Sequence, residues 1–182
     1  DAAEEEIEAL LDIPGPGGGS VEQAQSAVDG YVEHVVEHFG TDLKGLRIAV
    51  DCANGAFSEI APRVFERLGA EVTAIANRPD GQNINVACGA TDLSVLQEVV
   101  RAGAFDLGVA FDGDGDRMLA VDERGEAVDG DQIVTVLALA LGVDTVAVTS
   151  MTNLGFHRVM AEHGVRVLTT DVGDRYVLQA LR

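Results

Sequence analysis

Apolar residues in the first part of the chain recur at helical spacing. The stretch from Ser20 to Phe39 places valines and aromatic residues on one face, and it is predicted to be a helix that ends at Gly40. A shorter helix is predicted over residues 1–12, and Pro14 and Pro16 are expected to interrupt the chain between the two. This part of the chain therefore predicts helices alone.

Further along, short apolar segments alternate with amphipathic ones. The predicted strands are Leu46–Val50, Val72–Ala76, Leu107–Phe111, Met118–Val121, Thr145–Thr149 and Arg166–Thr169. The predicted helices are Glu59–Leu68, Asp92–Ala102 with Asp92 as its cap, Asp131–Leu141 and Leu154–His163, and a polar loop is predicted over 80–90. Alternation of strands and helices with short connections predicts an α/β fold with a largely parallel sheet.

One pattern occurs twice along the chain. A strand, an Asn/Gly turn, a helix that ends near a glycine and a second strand follow one another from Arg47, and again from Thr145, about 100 residues later. The repeat predicts two related α/β domains, and the second is expected to be cut off at Arg182.

The charge and the cysteines narrow the class of protein. The net charge is −19, from 31 acidic and 12 basic residues, which argues against a nucleic-acid partner. No apolar run is long enough to span a bilayer and no signal peptide begins the chain, so no membrane partner is expected. Cys52 and Cys88 stand apart and fit reduced thiols in a cytoplasmic protein. Because the chain begins at Asp1 without Met, we expect a fragment or a processed product.

The most informative feature is an acidic loop directly after an apolar strand. Asp112, Asp114 and Asp116 alternate with glycines, and Arg117 follows them. Glycine lets the backbone turn tightly, so that three carboxylates can converge on one point. Converging carboxylates repel one another unless a cation lies between them, and oxygen ligands suit Mg²⁺ or Ca²⁺. The pattern predicts a metal-binding loop.

The acidic and histidine patterns allow three other interpretations. The aspartates could serve only to cap turns, although their mutual repulsion argues against this. Glu123 falls at the twelfth position of an EF-hand loop that starts at Asp112, but Arg117 occupies the sixth position, where an EF-hand has Gly, and the flanking segments are strands. His34, Glu37 and His38 match an H-x-x-E-H zinc pattern, with no evident third ligand. The sequence also has no G-x-G-x-x-G turn and no recognisable catalytic nucleophile.

Taken together, the motifs resemble those of the α-D-phosphohexomutase family. The strongest match is the stretch 111–117, which resembles the magnesium-binding loop of that family. Three further stretches resemble its phosphoglucosamine mutase branch, and they are Asp80–Asn85 with Cys88–Thr91, Met151–Gly155 and Val172–Val177. Their order along the chain, over roughly residues 43 to 182, makes the resemblance specific.

The resemblance implies phosphohexomutase-type α/β domains with mixed, largely parallel sheets. It places residues 1–42 at the end of a first domain with a linker helix, 43–125 as a second domain with the metal loop, and 126–182 as the start of a third, sugar-binding domain. The family moves a phosphoryl group between the 6- and 1-hydroxyls of a hexose phosphate through a bisphosphorylated sugar. A phosphoserine outside this chain would take part, so the chain is not expected to catalyse the reaction alone.

The resemblance also implies roles for particular residues. Asp112, Asp114 and Asp116 would bind Mg²⁺, and Arg117 would lie beside the phosphate. Asp174 and Arg175 would contact sugar or phosphate, although Asp174 could instead cap the following helix beside an exposed Arg175.

Three hypotheses about function follow. The leading one is the central portion of a phosphoglucosamine mutase, which interconverts glucosamine 6-phosphate and glucosamine 1-phosphate in amino-sugar biosynthesis. The second is a phosphomannomutase or phosphoglucomutase of the same family, and the third is a non-catalytic acidic module that binds a divalent cation. The expected partners are the phosphorylated hexosamine and the remaining domains of the parent enzyme, while homodimer formation stays open.

Overall fold

The computed structural model describes residues 2–11, 13, 15, 17–20, 22 and 24–182. The predicted chain break at Pro14 and Pro16 lies outside these residues. Within them, no helix is both long and apolar enough to cross a membrane.

Seven helices and seven strands make up the described part of the chain. The helices are α1 (Ala2–Glu8), α2 (Gln25–Phe39), α3 (Ile60–Arg67), α4 (Ser94–Gly103), α5 (Gly130–Leu141), α6 (Leu154–Glu162) and α7 (Asp174–Ala180), and a short 3₁₀ helix covers Gly89–Thr91. The strands are β1 (Arg47–Asp51), β2 (Glu71–Ile75), β3 (Leu107–Phe111), β4 (Met118–Asp122), β5 (Ala127–Val128), β6 (Thr145–Thr149) and β7 (Arg166–Thr170).

The larger sheet has five strands in the order β2-β1-β3-β4-β5. Strands β2, β1 and β3 are parallel, whereas β4 and β5 are antiparallel to their neighbours, so the sheet is mixed as predicted. The register pairs Asp51 at the end of β1 with Ala110 near the end of β3. The carboxyl ends of these two strands therefore lie side by side at one edge of the sheet.

Helices cover this sheet on both faces because the middle residues of its central strands β1 and β3 are apolar. Ile48 and Val50 of β1 pack on one face with Phe65 of α3, while Ala49 packs on the other face with Leu96 of α4. Such continuous apolar strands are typical of parallel sheets that are buried on both sides. Helix α2 packs on the outside of α3 at the first face. Arg63 and Arg67 of α3 form ion pairs with Asp29 and Glu33 of α2.

The second unit is built around the parallel pair β6-β7. Val148, Phe156 and Met160 form its core with Ala138 of α5. Strand, helix and parallel strand follow one another here as they do from β1 through α3 to β2, so the predicted repeat is confirmed as two βαβ units.

Several boundaries differ from the predicted ones. Helix α2 begins at Gln25 rather than Ser20, and α1 ends at Glu8 rather than continuing to residue 12. Asp92 does not cap α4, because it ends the 3₁₀ helix instead and accepts hydrogen bonds from the N–H and hydroxyl of Ser94. Strand β5 was not predicted, since two residues are too short to show a hydrophobic period.

Candidate metal centre

The acidic loop is the hairpin connection between β3 and β4. Phe111 pairs with Met118, and the residues between them form the loop 112–117. The Asp112 N–H donates to the Arg117 carbonyl at 3.2 Å, which continues the strand pairing by one step. A loop that starts from two paired strand ends holds its side chains more precisely than a long free loop does.

Asp112 is the buried anchor of this loop. Its side chain is 3% exposed. Its Oδ1 accepts the N–H groups of Gly115 and Arg117 at 3.1 and 3.2 Å, which folds the loop back over the carboxylate. Gly115 has a φ of +80°, a conformation that most side chains disfavour, so the turn requires glycine at this position.

The three predicted aspartates lie together. One carboxylate oxygen of each of Asp112, Asp114 and Asp116 lies within 4.8 Å of the others, and they form the sole group of three metal-binding side chains in the described part of the chain. Ligand oxygens around an octahedral Mg²⁺ lie about 3 to 4 Å apart. Because Asp114 and Asp116 are exposed, small side-chain rotations would bring all three oxygens onto one ion. The donor set therefore fits a hard divalent cation.

Arg117 lies across the same carboxylates. Its Nη2 is 2.6 Å from Asp112 Oδ2, and its Nε is 3.4 Å from Asp116 Oδ1. Burial alone would raise the pKa of Asp112, but the Arg117 N–H and guanidinium outweigh it and hold that pKa below its usual value. The Asp114 backbone N–H lowers the pKa of Asp114, yet the charges of Asp112 and Asp116 dominate and raise it. This strain between like charges is what a bound cation would relieve.

The turn that follows β1 packs against the acidic loop and supports it. The turn after β1 brings the Ala56 N–H to the Gly113 carbonyl at 2.9 Å. A Cβ on Gly55 would lie 2.2 Å from that carbonyl oxygen, so this close approach requires glycine. On the other side, Phe57 packs under Gly115 and against Phe111, whose ring centroid is 5.3 Å away.

A third loop, residues 77–88, packs against the acidic loop through Ile84 and Asn85, and the sequence alone assigned it no role. Asn54 holds it at three points, because its side chain accepts the Arg78 N–H and donates to the Asn83 carbonyl and weakly to Cys88 Sγ. The Asn85 N–H donates to the Ala53 carbonyl at 2.9 Å. The composition of this loop predicts only a polar connection. The feature that could have indicated a role at the site is the resemblance of Asp80–Asn85 to the phosphoglucosamine mutase branch.

Asp51 is a further buried carboxylate that sequence analysis did not single out. It is fully buried at the end of β1, and its Oδ1 accepts the Ala53 N–H at 2.9 Å. Burial raises its pKa, against the N–H groups of Ala53 and Gly89, which lower it. In the sequence, the feature that could have identified Asp51 is its position as an acidic residue at the end of an apolar strand.

The structure does not support the two rival metal sites. Glu123 follows β4, which runs antiparallel to β3, and it therefore lies at the opposite end of the sheet, about 15 Å from the acidic loop. An EF-hand would need it beside Asp112. The rings of His34 and His38 are tilted by 33° with their centroids 4.2 Å apart, and His38 Nδ1 lies 2.9 Å from the His34 carbonyl oxygen. No third ligand joins them among the described residues.

Asp174 and Arg175 lie in the second unit, at the start of α7. Gly173, not Asp174, is the N-cap of α7. Asp174 is the first helical residue and accepts the Arg175 N–H at 2.9 Å. The Arg175 guanidinium lies over the Tyr176 ring and donates to its hydroxyl at 2.7 Å. Contact with sugar or phosphate stays a prediction for both residues.

Two family models match the chain. The model of "Phosphoglucomutase/phosphomannomutase, alpha/beta/alpha domain II" covers residues 29–125, and that of domain III covers 129–182. The predicted boundaries at 42/43 and 125/126 stay predictions, and α2, which precedes the first of them, packs on α3.

Curated relatives named phosphoglucosamine mutase match the whole of this chain. Those of Symbiobacterium thermophilum and Pelotomaculum thermopropionicum are 48% and 51% identical, and that of Mycobacterium marinum is 49% identical. The chain spans 43% to 44% of the length of these relatives.

Solved structures show the same fold. A phosphoglucomutase/phosphomannomutase family protein from Burkholderia thailandensis is 25% identical, with a TM-score of 0.74 over 99% of this chain and 40% of its own. A structure titled putative phosphomannomutase from Thermus thermophilus is 21% identical, with a TM-score of 0.73 over 93% of this chain and 41% of its own. Two domain models in the expected order, with the acidic hairpin loop inside the first, show that the chain belongs to the phosphoglucomutase/phosphomannomutase family.

Proposed function

We propose that this chain is the central portion of a phosphoglucosamine mutase, which interconverts glucosamine 6-phosphate and glucosamine 1-phosphate. The observation that carries the proposal is the convergence of three carboxylates beside Arg117 on a rigid hairpin loop. The choice of branch is supported by relatives of that name, which match over the full chain at nearly half identity.

In this proposal, Asp112, Asp114 and Asp116 bind Mg²⁺, the cofactor. The bound cation would neutralise charge on the transferring phosphoryl group. Asp112 fixes the position of the loop through its buried hydrogen bonds, and the two exposed aspartates adjust to the ion. Arg117 reaches past the carboxylates toward solvent, where its side chain is 77% exposed, and it would bind a phosphoryl oxygen there.

The remaining parts of the reaction are assigned outside these residues. A serine that carries the phosphoryl group belongs to the first domain of the family and is not expected within this chain. Asp174 and Arg175 would contact the sugar phosphate from the third domain. The two buried, unpaired thiols suit a reducing compartment, so we place the enzyme in the cytoplasm.

The test uses the complete gene product with Mg²⁺ and glucosamine 6-phosphate. We expect Asp114→Ala to lose most turnover, by a factor of about 100 or more, because it removes one metal ligand. The exposed position of Asp114 predicts that this variant keeps its fold, which circular dichroism would check. Unchanged turnover in a folded Asp114→Ala variant would refute the proposal.

A second measurement separates the sugar hypotheses. Turnover of the wild-type protein is compared on glucosamine, glucose and mannose 6-phosphates. The proposal expects the highest kcat/KM on glucosamine 6-phosphate, whereas a preference for mannose or glucose phosphate would move the chain to another branch of the family. No turnover on any of them, with cation binding retained, would favour the non-catalytic module.

A further inference from the structure

Asn85 stands out because its amide lies against the acidic loop and makes no hydrogen bond to any described residue. A Cβ on Gly113 would lie 2.8 Å from Asn85 Nδ2 and 2.7 Å from Ile84 Cδ1, so these two side chains occupy the space beside Gly113. Gly113 lies between Asp112 and Asp114 in the chain. The Asn85 amide therefore lies against the backbone of the acidic loop, at the residue that joins Asp112 to Asp114.

The backbone holds Asn85 firmly in this place. Its φ is +57°, a left-handed conformation that Asn tolerates better than most residues. Its N–H donates to the Ala53 carbonyl at 2.9 Å, which ties it to the end of β1. Asn54 and Asn83 brace the same loop. The backbone at Asn85 is thus held by the turn after β1 and by hydrogen bonds within its own loop.

Among the described residues, the Asn85 amide is not used for hydrogen bonding. Asn85 is exposed, and its side chain makes no hydrogen bond to any described residue. By contrast, the Asn83 side chain donates to the Arg78 carbonyl and accepts the Asp80 N–H, so it serves the structure of the loop. Two asparagines two residues apart therefore differ, because the Asn83 amide is used within the loop and the Asn85 amide is left available to a ligand.

We propose that Asn85 donates a hydrogen bond to an oxygen of the phosphoryl group that meets the metal loop. A phosphoryl group that approaches three carboxylates needs donors as well as a cation. Arg117 supplies one such donor in the proposed function, and a phosphoryl group has three oxygens, so it can accept a hydrogen bond from a second donor as well. A lysine at this position would compete with the cation for the carboxylates. A neutral amide can donate to a phosphoryl oxygen without that competition. This inference rests on the proposed function and adds a residue to it.

The test compares Asn85→Ala with Asn77→Ala in the complete gene product. Asn77 lies on the same loop, is exposed and has no side-chain hydrogen bond to the described residues, so it is a matched control. Calorimetry measures binding of Mg²⁺ and then of glucosamine 6-phosphate to the Mg²⁺-loaded protein, and steady-state kinetics gives kcat and KM.

We expect Asn85→Ala to bind the sugar phosphate and turn it over about 10- to 100-fold less well, the effect of losing one hydrogen bond to a charged group. Its Mg²⁺ affinity and melting temperature should match those of Asn77→Ala. Asn85→Asp should bind the sugar phosphate more weakly still, because it adds a fourth negative charge.

The outcomes separate this inference from the proposed function. If the wild type turns over the sugar phosphate and Asn85→Ala equals Asn77→Ala in both binding and kinetics, the role of Asn85 is refuted alone. A wild type that binds the sugar phosphate without turnover refutes the proposed function, and the binding comparison still decides about Asn85. Failure of the Mg²⁺-loaded wild type to bind the sugar phosphate overturns both.

Discussion

Gly55→Ala is the substitution through which the packing beneath the acidic loop can be tested most sharply. The added Cβ would lie 2.2 Å from the Gly113 carbonyl oxygen and 2.8 Å from its carbonyl carbon, both of which are backbone atoms. Ordinary contacts between carbon and a carbonyl oxygen are about 3.3 Å, so the Gly113 peptide must move by about 1 Å. That movement breaks the 2.9 Å hydrogen bond from Ala56 to Gly113.

The expected magnitude follows from these contacts. Overpacking costs about 1–3 kcal/mol of the free energy of unfolding, and the lost hydrogen bond about 0.5–1.5 kcal/mol. The Gly113 peptide joins Asp112 to Asp114, so its displacement moves the backbone of both ligands and should weaken Mg²⁺ binding. We expect a loss of about 10- to 100-fold in Mg²⁺ affinity, as for other groups that orient metal ligands.

The assay is calorimetric titration of the complete gene product with Mg²⁺, together with thermal denaturation. Gly30→Ala is the matched control, because Gly30 lies within α2 and an added Cβ there meets no atom within 4 Å. It should raise stability by about 0.5–1 kcal/mol and leave Mg²⁺ binding unchanged. If Gly55→Ala binds Mg²⁺ as tightly as the wild type does, the support that we assign to this turn is wrong.

Two further predictions concern titration and reactivity. Arg117→Ala should raise the pKa of Asp112, so the stability that this carboxylate contributes above its unfolded pKa should be lost at a higher pH during acidification. Carboxyl NMR titration measures the Asp112 pKa, and Arg124→Ala, which removes the guanidinium paired with Glu123, is the control. An unchanged Asp112 pKa in Arg117→Ala would contradict the prediction. Burial and the Asp51 charge raise the pKa of Cys52 to about 12. Iodoacetamide at pH 8 should therefore leave Cys52 unmodified in the native protein and alkylate it in denaturant, which mass spectrometry of the Cys52 peptide measures. Rapid alkylation of the native protein would contradict this prediction.

The acidic loop and its strand could be predicted from sequence because their signals are local. An apolar run of five residues gave β3 with its bounds, and alternating Asp and Gly gave the loop. The βαβ repeat could be predicted for the same reason, because the strands, the helix and the glycine of each unit are each recognisable from a short stretch of sequence.

What could not be predicted depends on contacts between distant segments. The start of α4 moved from Asp92 to Ser94 because a 3₁₀ turn, formed against β3, precedes it. The approach of Gly55 to Gly113 and the position of Asn85 over the loop require the pairing of β1 with β3, which no local pattern specifies. The capping box of Asp129 and Gln132 at α5 was within reach of sequence reasoning, since its spacing is local, but the helix was predicted to start at Asp131.

The central claim is that Asp112, Asp114 and Asp116 together bind the divalent cation used in phosphoryl transfer. Anomalous diffraction from crystals of the complete gene product with Mn²⁺ tests it most directly. We predict one strong peak at about 2.2 Å from a carboxylate oxygen of each aspartate, and its loss in Asp114→Ala crystals. A peak at another site, or none at this loop while Mn²⁺ supports turnover, would contradict the claim.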